Sequence, residues 1–343
     1  MAIIKLLKEK EQKKILTVQT ITKMKNKNYL MRGDLNSNRL FFYLTKVEKL
    51  QINHVDKRKE NLFKVKTFDT TFILKGFKDE LTVRMNVAIS QHLQQERFFQ
   101  CVSYYKFVNG NYYIELDNMF WAMTTYIPQR RNVSFTYKRD REAGLMLLKA
   151  LHDTSKDLSL LKQIVPTERN VENWLIRLRR FEQNGALLIE LFDEHTIKDI
   201  VSYSKQSLLA LQQLPLPEEK QVLLHGDVAS HNFLKGKDEQ FYIIDFDLAS
   251  IGHKEWDYVQ FTNRILPSIG WDEKKFLQMP ILPNLLKSNQ LFRVAITFPM
   301  DILREGNKFI NGQSIYAAHF LSYYAKTWQL RKKFLTNIIK VIK

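Results

Sequence analysis

The hydrophobic and polar positions of this chain alternate early and take on helical spacing later. Leu62–Thr67 alternates apolar and polar residues as a half-buried strand does, and after a turn at Asp69 the run Thr71–Phe77 reads as its antiparallel neighbour. Residues 79–95 place Leu81, Met85, Ala88, Ile89 and Leu93 at near-helical spacing, predicting an amphipathic helix. Strand patterns return at 102–107 and 112–116, which flank Asn109-Gly110-Asn111 and so predict a second hairpin, and again at 120–128. Short apolar and β-branched patches, Leu40 to Leu44 among them, are broken by charge between residues 29 and 71. From Ala143 onward the spacing is helical, with leucine faces over 143–154, 171–184 and 186–213, until Leu214-Pro215-Leu216-Pro217 breaks the last of these. Two short apolar strands, 222–224 and 241–244, precede a helical, aromatic tail over 261–343. The order predicts an α+β fold: a small β-rich lobe with one main helix over residues 1–122, and a larger, mostly helical lobe over 123–343.

Length and composition are consistent with that division. At 343 residues the chain is long for one compact domain, and 45% apolar with 26% charged residues supplies a sizeable core. A formal charge of +17 implies attraction to polyanions, either through a dedicated face or simply through a lysine-rich solvated surface. Eight lysines fall within residues 1–28, where Ile3, Ile4, Leu6 and Leu7 also allow a basic amphipathic helix or a surface element of the first lobe. The single cysteine, Cys101, excludes an intramolecular disulfide and argues against a cysteine-based zinc site; beside Phe98, Phe99 and Val102 it reads as a buried structural thiol. No apolar run is long enough to span a membrane, no signal-peptide core opens the chain, and no nucleic-acid motif is present, so a cytoplasmic protein without specific nucleic-acid binding is expected.

The densest candidate chemistry lies in HGDVASHNFLKGKDEQFYIIDFDLAS, residues 225–250. His225-Gly226-Asp227 is followed at Asn232 by an amide, then by a strand that ends in Asp245-Phe246-Asp247. A carboxylate that accepts a hydroxyl proton, with an amide and a second carboxylate offering oxygens to Mg2+, is the minimal equipment for passing the γ-phosphoryl of ATP to an alcohol. Gly, Asp, Ser and Asn are also common turn formers, but a turn accounts neither for the Asp-to-Asn spacing nor for the buried strand ending in acids.

The segment resembles the catalytic and metal-binding loops of the aminoglycoside phosphotransferase and choline kinase superfamily. Within it, the FILK strand, LLHGDVASHNFL, IIDFDLAS and the Phe298-Pro299 segment are most similar to the spore-coat-associated CotS/YutH group. The resemblance implies a bilobal protein-kinase-like fold and an ATP- and Mg2+-dependent transfer to a hydroxyl of an unidentified small molecule. Asp227 would be the base, with Asn232 and Asp245 as Mg2+ ligands and Lys75 meeting the nucleotide phosphates. Thr124, Thr125, Tyr126 and Ile127 would face adenine, while His225, Asp247 and Asp257 would support the loops. His152 is read as a structural, hydrogen-bonded histidine at a helix end. No glycine-rich loop precedes Lys75, and the sequence departs from the pattern at its acidic partner, which is Glu80 or Glu96, at opposite ends of the following helix, or none. An alternative is a catalytically weak kinase-like scaffold, with spore-coat proteins or an anionic polymer as partners and a spore-coat location.

Overall fold

The computed structural model describes residues 35–154, 157–189, 191–215, 220–312 and 317–340. The lysine-rich segment 1–28 lies outside the described residues. The chain divides into two compact units, one of residues up to 87 with 102–126, the other of 88–101 with 127 onward.

The first unit is a sheet with a helix on one face and the first turns of a second helix, up to Val87, on the other. Helix α1 (Leu35–Lys46) precedes strands β1 (Ile52–Lys59), β2 (Leu62–Thr67) and β3 (Thr71–Phe77). Helix α2 (Glu80–Gln95), β4 (Tyr104–Tyr105), β5 (Tyr113–Leu116) and β6 (Met119–Thr125) follow. The sheet order is β1-β2-β3-β6, entirely antiparallel, and Phe63 stands opposite Leu74 in the β2–β3 hairpin. Alternation assigns the faces. Phe63, Val65, Phe72, Leu74, Trp121 and Met123 pack with Leu40 and Leu44 of α1, while Phe77 and Ala122 pack with Val83 and Val87 of α2. The apolar patch at 40–44 is thus helical, because Leu40 and Leu44 are one turn apart and both meet the sheet.

The predicted hairpin around Asn109-Gly110 is not formed. Gly110 does turn the chain, with φ +84°, but β4 and β5 lie end to end along the free edge of β6, Tyr104 opposite Thr124 and Ile114 opposite Trp121. The two-residue hairpin is instead β5–β6, closed by Asp117 and Asn118 at φ +53° and +59°. Those paired left-handed residues make the tight turn whose twist suits a hairpin, and short polar side chains tolerate it without glycine.

The second unit is mainly helical. Strand β7 (Gln129–Asn132) leads into α3 (Lys138–Thr154), α4 (Asn170–Gln183) and α5 (Glu194–Gln212). Strands β8 (Val222–Leu224), β9 (Phe233–Gly236), β10 (Phe241–Ile243) and β11 (Ser250–Gly252) carry the loops of interest. Helices α6 (Glu255–Ile265), α7 (Glu273–Leu277), α8 (Leu282–Ser288), α9 (Gln290–Ala295), α10 (Met300–Ile310) and α11 (Ala317–Lys340) complete it. The single helix expected over 186–213 is interrupted: Gly185–Leu188 forms a 3-10 turn, and Asp193 starts α5 by accepting the Thr196 N–H at 2.8 Å. Among the described residues no helix is long and apolar enough to cross a membrane.

Close packing fixes the helices that matter below. Trp174 of α4 stacks on Phe298 at 4.4 Å, and a Cβ on Gly306 of α10 would lie 2.6 Å from the Phe181 ring, so α4 and α10 are in direct contact. Arg331 of α11, fully buried, donates to Asp301 of α10 at 2.5 Å, to Asn263 Oδ1 of α6 at 2.7 Å and to the Phe298 carbonyl at 3.3 Å. Buried charge is tolerated when hydrogen bonds surround it in this way.

Candidate active site

Strand β8 ends at Leu224 and releases the chain into His225-Gly226-Asp227. Gly226 has φ +78°, and a Cβ there would sit 1.9 Å from the Leu248 carbonyl oxygen. Only glycine allows both the left-handed turn and this approach of two backbone segments. Asp257, fully buried on α6, accepts the N–H of His225 at 2.8 Å and that of Gly226 at 3.0 Å. Its carboxylate also receives His152 Nε2–H of α3 at 3.0 Å. Burial alone would raise this carboxyl, but the His152 hydrogen bond and charge, the nearby His225 and the backbone donor hold it below the ordinary value. Asp257 is the third residue of α6 rather than its cap.

His225 ties this loop to the next. Its Nε2 donates to the Ile244 carbonyl at 2.9 Å, so the proton is on Nε2 and Nδ1 accepts the Asp227 N–H at 3.2 Å. Ile244 is gripped from its other side as well, its N–H donating to the Asn232 carbonyl at 3.0 Å. The Asn232 side chain, buried, donates through Nδ2 to the Asp227 carbonyl at 2.9 Å and to Asp227 Oδ2 at 3.3 Å. That commits the amide nitrogen to the loop and leaves the amide oxygen as an acceptor. Asp245 follows the gripped residue at φ +71°, with an exposed side chain, and Asp247 is half-buried. Asp227, Asn232 and Asp245 are thereby connected through one backbone residue.

Asp227 has a further partner that the motifs do not announce. Arg264 donates to Asp227 Oδ1 at 2.9 Å. It stands two helical turns beyond Asp257, so one face of α6 serves both the backbone and the side chain of the loop. The seven-residue interval is the signal available in the sequence.

Lys75 and residues 124–126 belong to the first unit. Lys75 stands opposite Ala122 on the sheet face that α2 covers, its Nζ 4.8 Å from the Phe77 ring centre. Glu80, at the start of α2, accepts the Tyr113 hydroxyl at 2.6 Å, and Glu96 comes just after the helix ends. Thr124 is buried within β6, and the Thr125 N–H already donates to the Ser103 carbonyl at 2.9 Å. Tyr126 takes Lys64 Nζ on its hydroxyl at 3.0 Å, and Ile127 is half-buried.

Among the described residues no group of three or more His, Cys, Asp or Glu could hold a metal ion. The Asn232 amide oxygen and the Asp245 carboxylate are hard oxygen donors by their chemistry. That suits Mg2+, which is commonly held through one or two protein oxygens with phosphates and water completing an octahedron.

The sequence profile described as the phosphotransferase enzyme family matches residues 56–274. Among solved structures, an aminoglycoside phosphotransferase from Alicyclobacillus acidocaldarius aligns at TM-score 0.69 and 17% identity, over 85% of this chain and 93% of that one. A choline kinase from Streptococcus pneumoniae aligns at TM-score 0.53 and 14% identity, over 88% and 99%. No curated protein matches the sequence significantly. At these identities the structural likeness speaks of fold alone: an α+β chain with its sheet first and its helices after.

Proposed function

The chain belongs to the phosphotransferase enzyme family, whose profile spans more than half its length, and from that premise we propose that it transfers the γ-phosphoryl group of ATP to a hydroxyl of a small molecule with Mg2+. The observation that carries the reading is the double grip on Ile244, which holds Asp245, Asn232 and Asp227 in one arrangement. Preorganised ligands of this kind are what phosphoryl transfer asks of a protein, since its catalysis is mostly positioning and charge stabilisation. Solved proteins of the same fold hold ADP with spectinomycin in one case and AMP-PNP with Ca2+ in another, which supports a nucleotide as donor.

In this reading Asp227 orients the acceptor hydroxyl and takes its proton as the acceptor oxygen bonds to the γ-phosphorus. The bond from that phosphorus to the bridging oxygen breaks, ADP leaves, and the proton passes to solvent. Arg264 occupies Oδ1, so Oδ2, with only its long contact to Asn232, is the oxygen that receives the proton. Asn232 and Asp245 would hold Mg2+, which neutralises phosphate charge when bound. Lys75 is assigned the phosphates of the nucleotide. Thr125 already spends its N–H on Ser103, so Tyr126 and Ile127 are the better candidates for the adenine edge. His225, Asp247 and Asp257 act as supports. The finer likeness to the spore-coat-associated group, and a location there, rests on sequence motifs alone.

The test is ATP turnover by the purified chain with a pool of hydroxylated metabolites. Asp227→Asn should lower kcat by about 10²–10⁴-fold, the span expected for a lost general base. Wild-type turnover in that variant would remove Asp227 from the role.

A further inference from the structure

We propose that the acceptor alcohol also carries an oxyanion, a carboxylate or a phosphate, held by Arg264, Arg304 and Arg177 while its hydroxyl meets Asp227. The inference rests on the phosphotransfer reading of the same site and names its substrate class. Arg264 reaches Asp227 directly at 2.9 Å. Arg304, on α10, is near enough for its charge to act on both Arg264 and Arg177, and burial together with that repulsion lowers the affinity of both for their protons. Arg264 alone touches the base; Arg304 stands on α10, which Arg331 ties to α6, and Arg177 on α4, whose backbone carbonyl accepts from Asn307 of α10 at 2.9 Å.

The surrounding carboxylates do not balance them. Asp227 answers Arg264, and Glu305 is shared by Arg304 at 2.9 Å and Lys308 at 3.3 Å. Among the described residues Arg177 has no carboxylate partner. Like charges held together in a partly buried place are unfavourable unless an anion joins them. Arginine forks bind carboxylate and phosphate oxygens in pairs, which makes an oxyanion the natural complement.

The scaffold holds the arrangement firmly. Arg331 bonds to Asn263, the neighbour of Arg264, and to Asp301, one turn before Arg304. The Asn307 side chain donates to the Arg177 carbonyl at 2.9 Å, and Gly306 packs on Phe181. A cationic acceptor would meet three arginines that repel it, so discrimination works by repulsion as well as attraction.

The experiment compares acceptors by ADP release from Mg-ATP with the full chain. Gluconate, glycerate and glycerol 3-phosphate are set against glucose, glycerol, choline and kanamycin. An anionic compound should be preferred over its neutral counterpart, and the carboxylate and phosphate arms identify which oxyanion is used. Arg304→Gln and Arg177→Gln should each raise KM for it about tenfold or more, with a smaller change in kcat, and Arg304→Lys should recover part of the loss. Arg177→Gln removes no described ion pair, so its melting temperature serves as the control for folding. Preference for a neutral or cationic acceptor, or an unchanged KM in both variants, overturns the proposal. Calorimetric titration of gluconate and glycerol 3-phosphate into the nucleotide-free chain separates the two readings. Binding that is lost in Arg177→Gln, without ADP release from any acceptor, would remove phosphotransfer and leave the anion site standing. Absence of both binding and anion-dependent turnover would remove the anion site.

Discussion

Gly226 shows how much of the active loop depends on single atoms. Adding a methyl group would place it against the Leu248 carbonyl at a left-handed backbone position that costs an L-residue about 1–2 kcal/mol before any clash. Gly226→Ala should lower the calorimetric melting temperature by several degrees and abolish turnover. Asp257 makes a pH-dependent prediction. Its folded carboxyl titrates below the ordinary range, so its stabilisation is present above about pH 4, the unfolded value, and is lost as pH falls through the folded value. Urea midpoints should drop in acid for the wild type. Asp257→Asn, which loses an ion surrounded by buried donors, should cost about 3–5 kcal/mol at pH 7 and flatten that acid dependence. Cys101 is buried and its thiol is pushed up to about 12, so iodoacetamide should label it only after unfolding. The loop residues were legible in the sequence because their chemistry is close-spaced along the chain. Arg304 and Arg177 were not, since a lone helical arginine looks the same whether it meets solvent or a base, and Arg264 showed only as a seven-residue interval from Asp257.

At the level of elements, Arg331 is the most informative position. It joins α6, α10 and α11 from a fully buried site. Arg331→Met strands the Asp301 carboxylate and should cost about 3–5 kcal/mol in urea unfolding, whereas adding Asp301→Leu should recover much of the loss. A double variant as unstable as the single one would show that the pair is not what holds these helices. Local patterns predicted the β2–β3 hairpin and helix α2 well, because alternation and helical spacing are properties of one segment. The hairpin at Asn109-Gly110 failed for a different reason: a turn signal fixes a reversal, but the long edge of β6 chose the partners. Helix α5 starts at Asp193 because its cap hydrogen bond outweighed a leucine pattern that continued across it.

For the whole molecule, family membership, fold and the gripped loops agree on phosphoryl transfer. The charge of +17 adds a general attraction to polyanions that should weaken steeply with salt and show no sequence preference, which separates it from the substrate site. The central claim is that Asn232 and Asp245 receive Mg-ATP. Its most direct test is the melting temperature of the wild type and of Asp245→Ala with and without millimolar Mg-ATP. A rise in the wild type that disappears in Asp245→Ala is predicted; no rise in the wild type, or an equal rise in both, would contradict the account.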